Sequence, residues 1–233
     1  MSKTNSIKKK TTGFDIFYRV VTAILAVAIY PLFYFVDLFV IEIYHTDISD
    51  LLNSIGQNNT LYTTYEKISI HELPTWINLF SSFTNEDFDF KASVLQNALY
   101  RPVFVAIAFL AVALVLGLVV LGFAAFSNKI KVITAISGAG FLCTLASYIS
   151  FTGFFAEPVL EGEITLTELF NIDGIIMSLV MQYIGDVEVF ALQGSFFAVM
   201  FLLLAICLWS ISVMIVNAGD EKEQQMKKAA KSK

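Results

Sequence analysis

PVFVAIAFLAVALVLGLVVLGFAAF, then SNKIK, then VITAISGAGFLCTLASYISFTGFFA: these three pieces are residues 102–126, 127–131 and 132–156, and their reading decides the fold. The outer two are long apolar runs, and the piece from Pro102 to Phe126 has no charged or strongly polar side chain. Crossing a bilayer takes about 20 mostly apolar residues, so each run is long enough. Hydrocarbon offers no partner to backbone N–H and C=O groups, so a spanning segment is a helix. A connector as short as Ser127-Asn128-Lys129-Ile130-Lys131 predicts a tight antiparallel hairpin.

Working outward, two more runs qualify, over residues 17–43 and 190–216. The chain is 57% hydrophobic over 233 residues, beyond the balance of an ordinary soluble domain. The basic start, apolar run and Ala26-Val27-Ala28 triplet imitate a signal peptide. Apolar residues continue well past the triplet, which predicts an uncleaved anchor. The expected fold class is an all-α integral membrane protein. It is a four-helix transmembrane bundle with short helical segments in two extracytoplasmic loops.

Charge orients the bundle. No Lys or Arg occurs between Lys131 and Lys222. The bases gather at the N-terminus (residues 1–16, with Arg19 just beyond), in the 127–131 connector and in the C-terminal 217–233 segment. Short cytoplasmic loops are rich in Lys and Arg, which places both ends and the connector inside. The segments 44–101 and 157–189 then lie outside. The second has Glu157, Glu161, Glu163, Glu168, Asp173, Asp186 and Glu188 with no base. The expected location is a plasma membrane, and a bacterial one fits loops without cysteine. The expected partners are the lipid bilayer and either a protein partner or a second copy of the chain. The basic clusters are short and lack interleaved aromatics, so nucleic acid is not expected as a partner.

Three runs have small residues at spacings that share a helix face. They are Ala106, Ala113, Gly117 and Ala124; Ser137, Gly140, Thr144 and Ser147; and Gly194, Ala198, Ala205 and Ser212. Such faces let helix backbones approach closely in lipid, so they are expected at the bundle centre. Pro31 predicts a kink in the first span, and Tyr30, Phe33, Tyr34 and Phe35 suit an aromatic belt. Arg19 is expected to reach headgroups along its aliphatic stem.

In the loops, Thr46 to Gly56 and Thr165 to Gly174 carry helix start and stop signals. The gapless likeness of Ile48–Gly56 to Leu166–Gly174 hints at a parallel repeat of helix, loop and helix. Residues 175–184 and the stretch from Pro74 to Phe80 suit interfacial segments.

Chemistry-bearing groups are few. Asp37 is the one acid well inside an apolar run, either an interfacial anchor or part of an ion pathway. His45 with Asp47 and Asp50, and His71 with Glu72, are candidate cation ligands. A catalytic zinc would need both regions to converge, because it takes three protein ligands. No nucleophile motif or phosphate loop occurs, so no catalytic residue and no cofactor is expected. Cys143 and Cys207 fall inside predicted spans. Four spans with internal termini and a larger first loop resemble the layout of claudins. The paired loop cysteines of that family are absent here, and no assignment follows.

The leading expectation is a non-catalytic interaction or accessory subunit, with Trp76, Phe80, Phe83, Phe88 and Phe90 among its outer contacts. The alternatives are a small oligomeric cation channel or transporter using Asp37, and a metal-dependent membrane enzyme using His45 and His71.

Overall fold

Four helices form a closed ring in the computed structural model, which describes residues 13–44, 63–72, 74, 98–127, 129–164 and 186–231. Helix α1 is Gly13–Phe35. A short 3-10 turn, Ala98–Tyr100, leads into α2, Arg101–Phe126. Helix α3 is Ile130–Phe151, and α4 is Gly194–Lys231. Each packs against two neighbours, in the order α1, α2, α3, α4 and back to α1. All four are long and apolar enough to cross a membrane. Their outward surface agrees with that: Ile24 is 63% exposed, Leu142 62% and Ile215 68%. Side chains of this kind turned outward along every helix find their solvent in lipid. The chain is a multi-pass integral membrane protein built as a four-helix bundle.

The expected four-helix transmembrane bundle is present, and the fold adds a small element to it. Beside the helices stands a three-stranded antiparallel sheet in the order β2, β1, β3. Its strands are β1 (Asp37–Tyr44), β2 (Thr63–Ser69) and β3 (Asp186–Leu192). The first span therefore ends well short of Ile43. Pro31 sits inside α1 and withholds a backbone donor from Val27, so the helix is weakened where it nears its end. Val36 N–H still donates to Leu32 O at 3.1 Å, and the strand starts one residue later. The fourth run is corrected likewise: its first residues belong to β3, and the helix starts at Gly194.

Helix α3 runs into a π-helical turn, Thr152–Ala156, and one last α turn, Glu157–Leu160. Pro158 explains the widened turn. It has no N–H for Phe154 O, and its ring would strike that carbonyl in a regular helix. An extra residue in the preceding turn relieves the crowding, and Glu157 N–H reaches back to Thr152 O. Gly162, at φ 74°, then turns the chain away.

Two of the small-residue faces point inward. Ala106, Ala113, Gly117 and Ala124 of α2 are buried, as are Ser137, Gly140, Thr144 and Ser147 of α3. A Cβ on Gly117 would lie 3.0 Å from the Tyr30 hydroxyl, and one on Gly140 would lie 3.1 Å from Leu203 Cδ1. The α3 hydroxyls are taken up by backbone. Ser137 donates to Ile133 O at 2.8 Å, Thr144 to Phe141 O at 2.7 Å, and Ser147 across to Ala106 O of α2 at 2.8 Å.

The face expected on the fourth helix is corrected. Gly194, Ala205 and Ser212 are exposed and Ala198 is half-buried. Helix α4 instead packs through Phe196, Val199, Leu203, Ile206, Ser210 and Val213. Its large side chains fill the space that the small residues of α2 and α3 leave, so a third small face would leave voids. Tyr18, fully buried, closes the other end of the ring: its hydroxyl meets Ser210 Oγ at 2.8 Å and its ring stacks on Trp209.

Candidate functional site

The sheet places Asp37, Ser69, His71 and Glu72 at one end of the bundle. Strand β1 leaves α1 directly and β3 enters α4 through Gln193, whose N–H donates to Leu38 O at 2.7 Å. Ile41 stands opposite Glu66 of β2 on one side and Phe190 of β3 on the other. Segments far apart in the chain thus share one surface. Val40 and Ile68 are buried beneath it, while Glu66, Lys67 and Glu188 are exposed.

Phe190 pins this sheet to the bundle. Its ring lies 5.3 Å from Phe151, 5.6 Å from Phe155 and 6.2 Å from Phe39. Phe155 also meets Tyr100 at 6.1 Å. Aromatic pairs at these separations contribute about 0.5–1.5 kcal/mol each beyond the area they bury. The π-helical turn is what sets Phe155 against β3.

At the other edge, the turn after β2 carries Ser69, His71 and Glu72. Ser69 is buried. Its hydroxyl donates to Glu72 Oε2 at 2.7 Å and its N–H to the same oxygen at 3.2 Å. Glu72 N–H returns to Ser69 O at 3.1 Å. These bonds, led by the hydroxyl, hold the Glu72 carboxyl below its ordinary pKa, with the charge of neighbouring His71 a lesser cause. His71 Nδ1 lies 2.8 Å from Ser69 Oγ. The one hydroxyl proton is committed to Glu72, so the imidazole donates to serine. A base that donates cannot activate the hydroxyl, and the trio closes a turn. The His71 ring, exposed, lies 6.0 Å from both Tyr34 and Phe35, themselves exposed at the end of α1.

Asp37 stands opposite Ser69 at the start of β1. It lies past the end of α1, so the bundle interior holds no Asp37 carboxylate. His71 and Glu72 are neighbours in the turn, whereas His45, Asp47 and Asp50 lie outside the described residues. Among the described residues no group of three or more His, Cys, Asp or Glu comes together. The predicted loop helices, the internal likeness and the loop aromatics also lie outside them. Cys143 and Cys207 are unpaired thiols, half-buried in the bundle.

The Ser69 turn escaped sequence reading, although Ser69-Ile70-His71-Glu72 has the S-x-x-E spacing of a reciprocal cap. The expected aromatic belt divides: Tyr34 and Phe35 face out, while Tyr30 turns inward and donates to Leu114 O at 2.8 Å. No family model, curated protein or solved structure matches this chain.

Proposed function

We propose that the chain is a non-catalytic interaction or accessory subunit of a membrane assembly, meeting its partner with the sheet end. The joint sheet carries this reading: strands from two separate connections form one surface, fixed to the helices by Phe190. Strands already paired in the free chain lower the ordering cost of binding. Among the described residues β2 and β3 pair only with β1. Sheet edges offer backbone groups to a further strand, and exposed side chains along them select which one. The Lys and Arg distribution supports an orientation with this end outside the cytoplasm.

Purification of the full chain in mild detergent tests the reading. A stoichiometric protein partner is expected with the native chain, and loss of that partner with Glu66→Lys or Glu188→Lys. A chain that elutes alone, or a partner kept equally well by both edge variants, would overturn it.

A further inference from the structure

At the connector end, away from the sheet, α2 carries an apolar recess of about 310 Å³, lined by Val119, Gly122, Phe123, Phe126 and Ser127. From this recess and the charges beside it, we infer that it seats one acyl chain of an anionic phospholipid, whose headgroup meets Lys129 and Lys131. The inference rests on the bilayer reading alone and is independent of the accessory-subunit reading.

The notch has a structural cause. Gly122 supplies no side chain, and a Cβ there would meet nothing within 4 Å. Val119 and Phe123 border the gap, and Phe126, 91% exposed, stands at its mouth. Residues at these spacings share one helix face, so the recess runs along α2 toward its end. Ser127 closes it, and there the environment turns polar.

Any acyl chain would fit an apolar groove; the charge at its mouth selects the headgroup. Lys129 and Lys131 are both exposed in the connector and the first turn of α3. Arg19 is fixed nearby by the carbonyls of Ala124 and Ala125. The acids described on this side are Asp15, one turn before Arg19 on α1, and Asp220, Glu221 and Glu223 near the end of α4, where Lys222, Lys227, Lys228 and Lys231 outnumber them. A lysine near a membrane surface raises the affinity for anionic lipid roughly fivefold. Two lysines beside one groove favour an anionic over a zwitterionic headgroup at equal acyl composition.

Native mass spectrometry of the full chain in detergent, titrated with dioleoyl phosphatidylglycerol or dioleoyl phosphatidylcholine, tests this. One retained phosphatidylglycerol is expected, with a preference over phosphatidylcholine of roughly tenfold or more. Gly122→Leu fills the notch without striking the bundle and should abolish retention of both lipids. Lys129→Gln with Lys131→Gln should erase the preference while a lipid is still retained. Equal retention of the two lipids by the native chain would overturn the inference. So would native-like phosphatidylglycerol binding by Gly122→Leu, or a second protein copy occupying the face in place of lipid.

Discussion

Arg19 lies in the first apolar run, where a guanidinium without partners is costly. Headgroups were the expected destination, yet the side chain turns along the bundle. Its Nε donates to Ala124 O at 2.8 Å and a terminal nitrogen donates to Ala125 O. The last carbonyls of a helix have no partner within it and carry the negative end of its dipole. One cation therefore ties the start of α1 to the end of α2. Arg19→Met should lower stability by about 2 kcal/mol: the part-buried bond to Ala124 O contributes about 1.5–3 kcal/mol as a bond to a charged group, and the exposed bond to Ala125 O adds little. Unfolding in mixed micelles followed by circular dichroism measures this. Arg19→Lys should recover part of the loss, because an ammonium has no planar fork to reach two carbonyls. Glu72 gives a prediction in pH. Its carboxyl is held below the ordinary range when folded, so its contribution is present above the unfolded pKa and is lost as pH falls through the folded one. Protection of the Ser69 amide, measured against its intrinsic exchange rate at each pH, should fall as acid protonates Glu72. In Glu72→Gln that dependence should vanish; an unchanged profile would show that another group titrates.

At the scale of elements, close approach sets the helix spacing. Gly117 lets the Tyr30 hydroxyl come near enough to α2 to reach Leu114 O. Gly117→Ala should cost about 1–3 kcal/mol through overpacking. In a Tyr30→Phe background the same change should cost less, because the atom it strikes is gone; equal costs would place the strain elsewhere. Pro158→Ala should return residues 152–156 to a regular helix, with Glu157 N–H moving from Thr152 O to Gly153 O. Phe155 then rotates away from Phe190, and the sheet end should exchange its amides faster while the bundle core is unchanged. The strands show why some elements were harder to read. Residues 38–43 continue the apolar run of α1, and hydropathy does not separate a strand from a helix. The signal lay in residue type: Phe39, Val40, Ile41 and Ile43 favour a pleated surface. Asp186-Val187-Glu188-Val189 alternates with the period of a strand, but it falls in the acidic 157–189 segment, and Phe190 to Leu192 merge with the apolar run that follows.

For the molecule as a whole, the membrane-spanning architecture was legible because it rests on lengths of apolar sequence. The faces of α2 and α3 were legible as well, since small residues at helical spacing mark close approach. The α4 face was not, because its small residues lie opposite the face that packs, and spacing does not say which side meets the bundle. The candidate site was least legible. It depends on pairing between segments more than a hundred residues apart, such as Ile41 with Phe190, and no local pattern records the partner of a strand. Sidedness rests on the Lys and Arg distribution, and it is open to direct test. With Cys143→Ala and Cys207→Ala as background, a single Glu188→Cys or Lys129→Cys places an exposed thiol at the sheet end or the connector end. A membrane-impermeant maleimide on intact cells should label the first, and the second only after permeabilisation. The reverse pattern would put the sheet in the cytoplasm, and the acidic face proposed to meet a partner outside would then be looking the wrong way.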